Sequence, residues 1–146
     1  MIKLRFLDNR GLVPDLIKFW TWSQISHVEF AFDNGYLGAV APGGVELRSL
    51  DYAKPKKEWF GTVETTPEQE KIIDRFVLSQ RGKSYDYAQI AGIILHKDWS
   101  SKNSWFCSEL VFAAFAKAGI MLLDRDQGDR ITPYDLFISP LIKVTS

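Results

Sequence analysis

The sequence predicts an α+β domain in which a small antiparallel sheet packs against helices. Two observations lead there. Short runs of alternating, β-branched and aromatic residues fill the first 65 positions, with hairpin-turn residues between them. Beyond that point apolar residues recur at helical spacing, bracketed by residues that start and stop helices.

Taken in order, IKLRFL (2–7) alternates and reads as a short strand. GLVPDLIKFW (11–20) puts Leu12, Leu16, Phe19 and Trp20 on the apolar face of a short helix, with Pro14 in its first turn. SHVEFAF (26–32) alternates and is a strand. Asn34-Gly35 then signals a hairpin centre, with LGAVA as the returning strand. A second turn at Pro42-Gly43-Gly44 leads into VELRSL (45–50), and EWFGTVET (58–65) is one more strand. Thr66, Pro67 and Gln69 fit an N-cap, a first-turn proline and a capping-box partner. The helix they open carries Ile72, Ile73, Phe76 and Val77 as its buried stripe and stops at Gly82. SYDYAQIAGIIL (84–95) predicts another helix, and a polar loop, HKDWSSKNS, follows. The next helix runs through Cys107, with Leu110, Val111, Ala114, Phe115 and Ala118 inward and Gly119 at its stop. Thr132-Pro133 opens a brief helical turn near the end.

The 146 residues form a single domain, 1–146, without repeats, low-complexity segments or a linker. Lys plus Arg balances Asp plus Glu at 18 each, which argues against a nucleic-acid partner. The KPKK run (54–57) reads as a solvated loop. A single cysteine forms no internal disulfide. The start, MIKLRFLDNRG, meets charge too early for a signal peptide, and no apolar run reaches the roughly 20 residues of a membrane helix. The default location is therefore cytoplasmic, and oligomeric state is not specified.

Cys107 stands out by its place at the mouth of a helix. If Asn103 or Ser104 caps that helix, unpaired backbone N–H groups of the first turn stabilise a thiolate and are available to an oxyanion. A small buried hydrophobe is the plainer role for a lone cysteine. A nucleophilic thiol needs a base, and the chain has two histidines, His27 and His96. His27 and Glu29 are two apart in a strand and project from one face, so the carboxylate can orient the imidazole. Alternatively that face is solvated and Val28, Phe30 and Phe32 pack on the other side. His96 lies in the polar loop and reads as a surface residue. Two scattered histidines and one cysteine give no zinc spacing, and glycine-rich nucleotide motifs are absent, so no metal or cofactor is expected.

The SHVEF strand, the GGV turn, the G-x-x-YD segment and FCSEL opening a helix, in this order, resemble the circularly permuted branch of the NlpC-type papain-like cysteine peptidase superfamily. That branch includes YiiX-like proteins and, more distantly, lecithin retinol acyltransferase. The resemblance implies a permuted papain-like fold and a thiol hydrolase or acyltransferase site. In it Cys107 matches the nucleophile, His27 the base, Glu29 the acidic residue of the HVE motif, and Tyr85 a tyrosine beside the cleft. Ser108 and Trp105, flanking the cysteine, join Tyr85 as candidates for oxyanion or substrate contacts. Acyltransferase-like members carry a second polar residue on the strand after the histidine, where this chain has Gly38, Ala39 and Val40.

Three functions follow as expectations. The first is hydrolysis of an amide bond in a peptide or cell-wall-type peptide. The second is acyl transfer on lipid esters or amides, with Trp20, Trp22, Trp105 and Phe106 as an apolar cleft mouth. The third is a module that binds a peptide or lipid without turnover.

Overall fold

The computed structural model describes residues 1–88, 91, 103–124 and 130–145. Six strands form one sheet in the order β4-β3-β2-β1-β5-β8, with every neighbouring pair antiparallel. They are β1 (Ile2–Asp8), β2 (His27–Phe32), β3 (Gly35–Val40), β4 (Gly44–Arg48), β5 (Lys57–Val63) and β8 (Lys143–Thr145). β6 (Ser84–Tyr85) and β7 (Ser104–Trp105) pair in parallel as a separate two-residue ladder. The helices are α1 (Leu12–Thr21), α2 (Pro67–Ser79), α3 (Cys107–Lys117) and α4 (Pro133–Phe137). This is the α+β class read from the pattern of the chain.

The core lies between the sheet and α3. Leu4, Phe6, Val28, Phe30, Leu37 and Ala39 share one sheet face by register and are all buried. From the helix, Leu110, Val111, Ala114 and Phe115 meet that layer, and the rings of Phe30 and Phe115 stack at 6.1 Å. Burial of each such side chain stabilises the fold by roughly 2 kcal/mol. α2 enters on the expected capping box. Thr66 Oγ1 accepts from the Gln69 N–H at 3.2 Å, and Gln69 Oε1 accepts from the Thr66 N–H at 2.9 Å. α4 repeats the device, with Thr132 as N-cap and Asp135 as its partner.

Several elements differ from expectation. Phe32 pairs with Gly35, so the hairpin turn is Asp33-Asn34 rather than Asn34-Gly35. Gly35 is instead the first residue of β3, where an added Cβ would lie 2.2 Å from the Arg48 carbonyl oxygen. In α2, Ile73 and Val77 are buried and Phe76 is partly buried against the core, but Ile72 is 43% exposed and lies off that seam. In α1 the sheet-facing residues are Ile17, which is buried, and Val13, while Leu12, Phe19 and Trp20 face out. Lys18 fixes that orientation, donating to Asp8 Oδ1 at 2.8 Å and the Asn9 carbonyl at 2.7 Å. The helix expected over 84–95 does not begin at Ser84, which pairs with Ser104 in β6. Tyr87, Ala88 and Ala91 are helical, and most of the remaining segment, His96 included, lies outside the described residues. β8 was not read as a strand, since three residues are too few to show alternation.

Candidate active site

Cys107 is the first residue of α3, and its cap is Phe106, not Asn103 or Ser104. Ser104 is drawn away into β7, so the helix starts two or three residues later than a polar cap would have placed it. Phe106 has no side-chain oxygen to offer, and the Glu109 carboxylate accepts from its backbone N–H at 3.4 Å instead. Cys107 thus sits at the positive end of the helix, among amide groups without intrahelical acceptors. Its side chain is fully buried.

His27 opens β2 at the end of the sheet. The preceding Ser26 is held by a backbone bond to Leu7 at 2.9 Å, while its hydroxyl donates to the same carbonyl and accepts from the Asn9 N–H. The imidazole is anchored on one side. Nε2 is 3.2 Å from Glu29 Oε2, and Cys107 is near enough for its charge to act on the ring. Burial would lower the His27 pKa. The charge and hydrogen bond of Cys107, followed by those of Glu29, outweigh it and push the value up to about 10.

His27 and Glu29 share a face of β2 as their spacing predicts, and the solvated-face alternative fails. α3 packs on the Val28/Phe30 side, yet the Glu29 side is not solvated, and Glu29 is wholly buried. Three donors converge on its carboxylate. Tyr52 Oη donates to Oε2 at 2.6 Å, Arg5 Nη1 donates to Oε1 at 3.2 Å, and His27 completes the set. Burial would raise the Glu29 pKa; the hydrogen bond and charge of His27, then Tyr52 and Arg5, hold it below the ordinary carboxylate range. Tyr52 is pushed the other way, by burial and by the Glu29 charge, so it stays a donor. Arg5 also donates to Glu58 at 2.7 Å and lies over the Tyr36 ring, 4.1 Å from its centroid. Gly38 stands across from Glu29, where an added Cβ would come within 2.8 Å of the Glu29 Cβ. The absence of a side chain at 38 makes room for the carboxylate.

Tyr52 and Arg5 were not among the residues singled out from the sequence. Arg5 sits at a polar position of an alternating strand, which reads as solvent-facing. Tyr52 belongs to an irregular loop, 23 residues from Glu29, and no local spacing links the two.

A cleft of about 500 Å³ opens at this end of the sheet. His27 and Tyr85 lie on it, with Tyr52, Val40, the 9–11 loop and the cleft side of α1. Tyr85 is brought there by β6, which is tied to β4 through Val45 and Lys83 at a point where Gly44 approaches Lys83 too closely for any side chain. Burial and then the charge of Cys107 raise the Tyr85 pKa, which keeps its hydroxyl protonated. The structure therefore gathers Cys107, His27, Glu29 and Tyr85. Ser108 and Trp105 are directed elsewhere. The Ser108 hydroxyl donates to the Ile131 carbonyl, and Trp105 Nε1 donates to Gln80 Oε1 at 3.0 Å with its ring against Phe76. Neither side chain lines the cleft. Among the described residues no three His, Cys, Asp or Glu converge as metal ligands, and no helix is long and apolar enough to cross a membrane.

Comparison with known proteins places this geometry in context. No family model matches the chain. It is 26% identical, over 167 residues of alignment, to the probable lipoprotein peptidase YaeF of Escherichia coli (strain K12). That match covers 91% of the chain but spans only 61% of the relative's length. Among solved structures, the metalloprotein yiiX of Escherichia coli O157:H7 superimposes with a TM-score of 0.76 at 18% identity, covering 99% of this chain and 95% of that one. The fold is shared with yiiX.

Proposed function

We propose that the chain is a cysteine hydrolase that cleaves amide bonds, with Cys107 as nucleophile, His27 as general acid and base, and Glu29 as the orienting carboxylate. The observation that carries this reading is a buried imidazole bonded to a buried carboxylate, with the charge of Cys107 acting on the same ring. The similarity to a peptidase supports the reaction class.

In this reading the Cys107 thiolate attacks the substrate carbonyl carbon while the His27 imidazolium holds its proton. The developing oxyanion accepts from the Cys107 backbone N–H and the Tyr85 hydroxyl. Formation of the C–S bond, already in the tetrahedral intermediate, removes the negative charge on sulfur, the foremost interaction raising the His27 pKa. His27 becomes a stronger acid when the leaving amine needs a proton, and it delivers one as the C–N bond breaks. The neutral imidazole then takes a proton from water, whose oxygen attacks the thioester and releases a carboxylic acid and the thiolate. Because Cys107 is fully buried, a carbonyl reaches the sulfur only when the side chains over it swing aside.

The comparison protein yiiX is described as a metalloprotein. The donors here do not fit a metal centre. Both Glu29 oxygens and His27 Nε2 are already bonded, which leaves one sulfur and one imidazole nitrogen, short of the four donors of a structural zinc site or the three of a catalytic one. No step is routed through a metal.

Incubation with an activated acyl ester, followed by mass spectrometry of the intact protein, tests the proposal. A covalent acyl adduct on Cys107, absent in Cys107→Ser and depleted in His27→Ala, is the expected result. An unmodified Cys107 under conditions where the ester is otherwise consumed would rule the mechanism out.

A further inference from the structure

The outward face of α1 exposes several large apolar side chains to solvent. Leu12, Leu16, Phe19 and Trp20 form a continuous stripe at helical spacing, and it continues around to the sheet-facing Val13 and Ile17. Leu12 is 80% exposed and Phe19 66%, and the stripe ends on Trp22 at 91%. Trp22 also caps the helix at φ 52°, a left-handed conformation that bulky residues avoid. A tryptophan held that way, with almost its whole surface in water, gains little from the fold it belongs to.

Basic residues gather near the same place. Arg10 and Lys54 lie on the cleft alongside Leu12, and both are exposed. Lys56 ends the loop that carries Lys54, Lys57 opens β5, and both are exposed too. The acid on α1, Asp15, is paired with Lys18 at 3.1 Å. In a chain of zero formal net charge, two exposed cations, Arg10 and Lys54, share the cleft with the exposed Leu12 that begins this stripe.

We propose that this face docks on an anionic phospholipid bilayer, with Leu12, Phe19 and Trp22 entering the interfacial layer and Arg10, Lys54, Lys56 and Lys57 meeting lipid phosphates. Aliphatic and aromatic side chains on a short amphipathic helix enter the headgroup boundary, tryptophan favours that layer, and nearby basic residues add attraction to anionic lipids. The charge complementarity selects a negatively charged surface as the occupant. Since Leu12, Val13, Pro14 and Ile17 also line the cleft, docking turns its opening toward the bilayer. The corollary rests on the hydrolase reading: the scissile bond would then belong to a molecule held at the membrane surface, such as a lipid-anchored peptide.

Vesicle flotation tests the docking apart from catalysis, because the protein carries Cys107→Ala throughout. Binding to vesicles of phosphatidylcholine with phosphatidylglycerol is expected to exceed binding to phosphatidylcholine alone by about tenfold or more at low salt, and to weaken as salt rises. Phe19→Lys with Trp22→Lys should reduce binding to the mixed vesicles by about tenfold. Arg10→Glu with Lys54→Glu should abolish the preference for anionic lipid. All of these positions are exposed, and near-ultraviolet circular dichroism checks that each variant stays folded. Equal flotation of the parent and the Phe19/Trp22 variant would overturn the proposal. So would no flotation on either vesicle, or dimerisation that Trp22→Lys abolishes, which would make the face a contact between copies. Failure of acyl capture at Cys107 would leave the docking result standing.

Discussion

Replacing Cys107 with alanine should release His27. The imidazole is buried, which disfavours its charge, and the foremost contributions that keep it protonated come from Cys107, with Glu29 behind. The rise from 6.5 to about 10 corresponds to roughly 5 kcal/mol favouring the imidazolium in the folded protein. Because the folded value lies above the unfolded one, this stabilisation is complete below about pH 6.5, fades through the interval and is gone above about pH 10. Proton NMR of the imidazole ring resolves it, with His96→Gln in the background so that a single histidine signal remains. His27 should stay protonated through neutral pH and titrate near 10 in the parent. In Cys107→Ala the midpoint should fall, since burial then opposes Glu29 alone. A parent midpoint near 6.5, or one that Cys107→Ala leaves in place, would refute the coupling on which the site depends.

Other perturbations follow from the same contacts. Glu29→Gln removes the counter-charge of a buried Arg5 and of His27; with Glu58 still holding Arg5, the cost is about 3 kcal/mol, or a melting point roughly 10 °C lower by calorimetry. Tyr52→Phe deletes a 2.6 Å bond to a charged acceptor that keeps two other donors, so unfolding in urea should show a loss of about 1.5 kcal/mol, and turnover should drop several-fold without vanishing. Thr66→Ala breaks the reciprocal cap of α2 far from the cleft and should cost about 1 kcal/mol with acyl capture at Cys107 unchanged.

Most of the sheet was legible because its strands alternate and its turns carry glycine, asparagine or proline. The first hairpin still came out one residue adrift, since Asn34-Gly35 straddles the junction between turn and strand. In α1 periodicity revealed an apolar stripe but not which part of it meets the sheet; the Lys18 bonds to Asp8 and Asn9, which join different elements, decide that. The pair of His27 and Glu29 was visible as a two-residue spacing in a strand. What encloses Glu29 was not, because Arg5 arrives from the neighbouring strand and Tyr52 from a loop beyond β4. Helix starts depend on similar competition: a polar residue before Cys107 looked like the cap, but pairing with Ser84 claimed Ser104 first.

The most direct test of the central pairing is the rate at which iodoacetamide alkylates Cys107 at mildly acidic pH, in the parent and in His27→Ala. An imidazolium that sustains the thiolate predicts a fall of about tenfold or more when the ring is removed. Equal rates in the two proteins, each confirmed as folded, would contradict it.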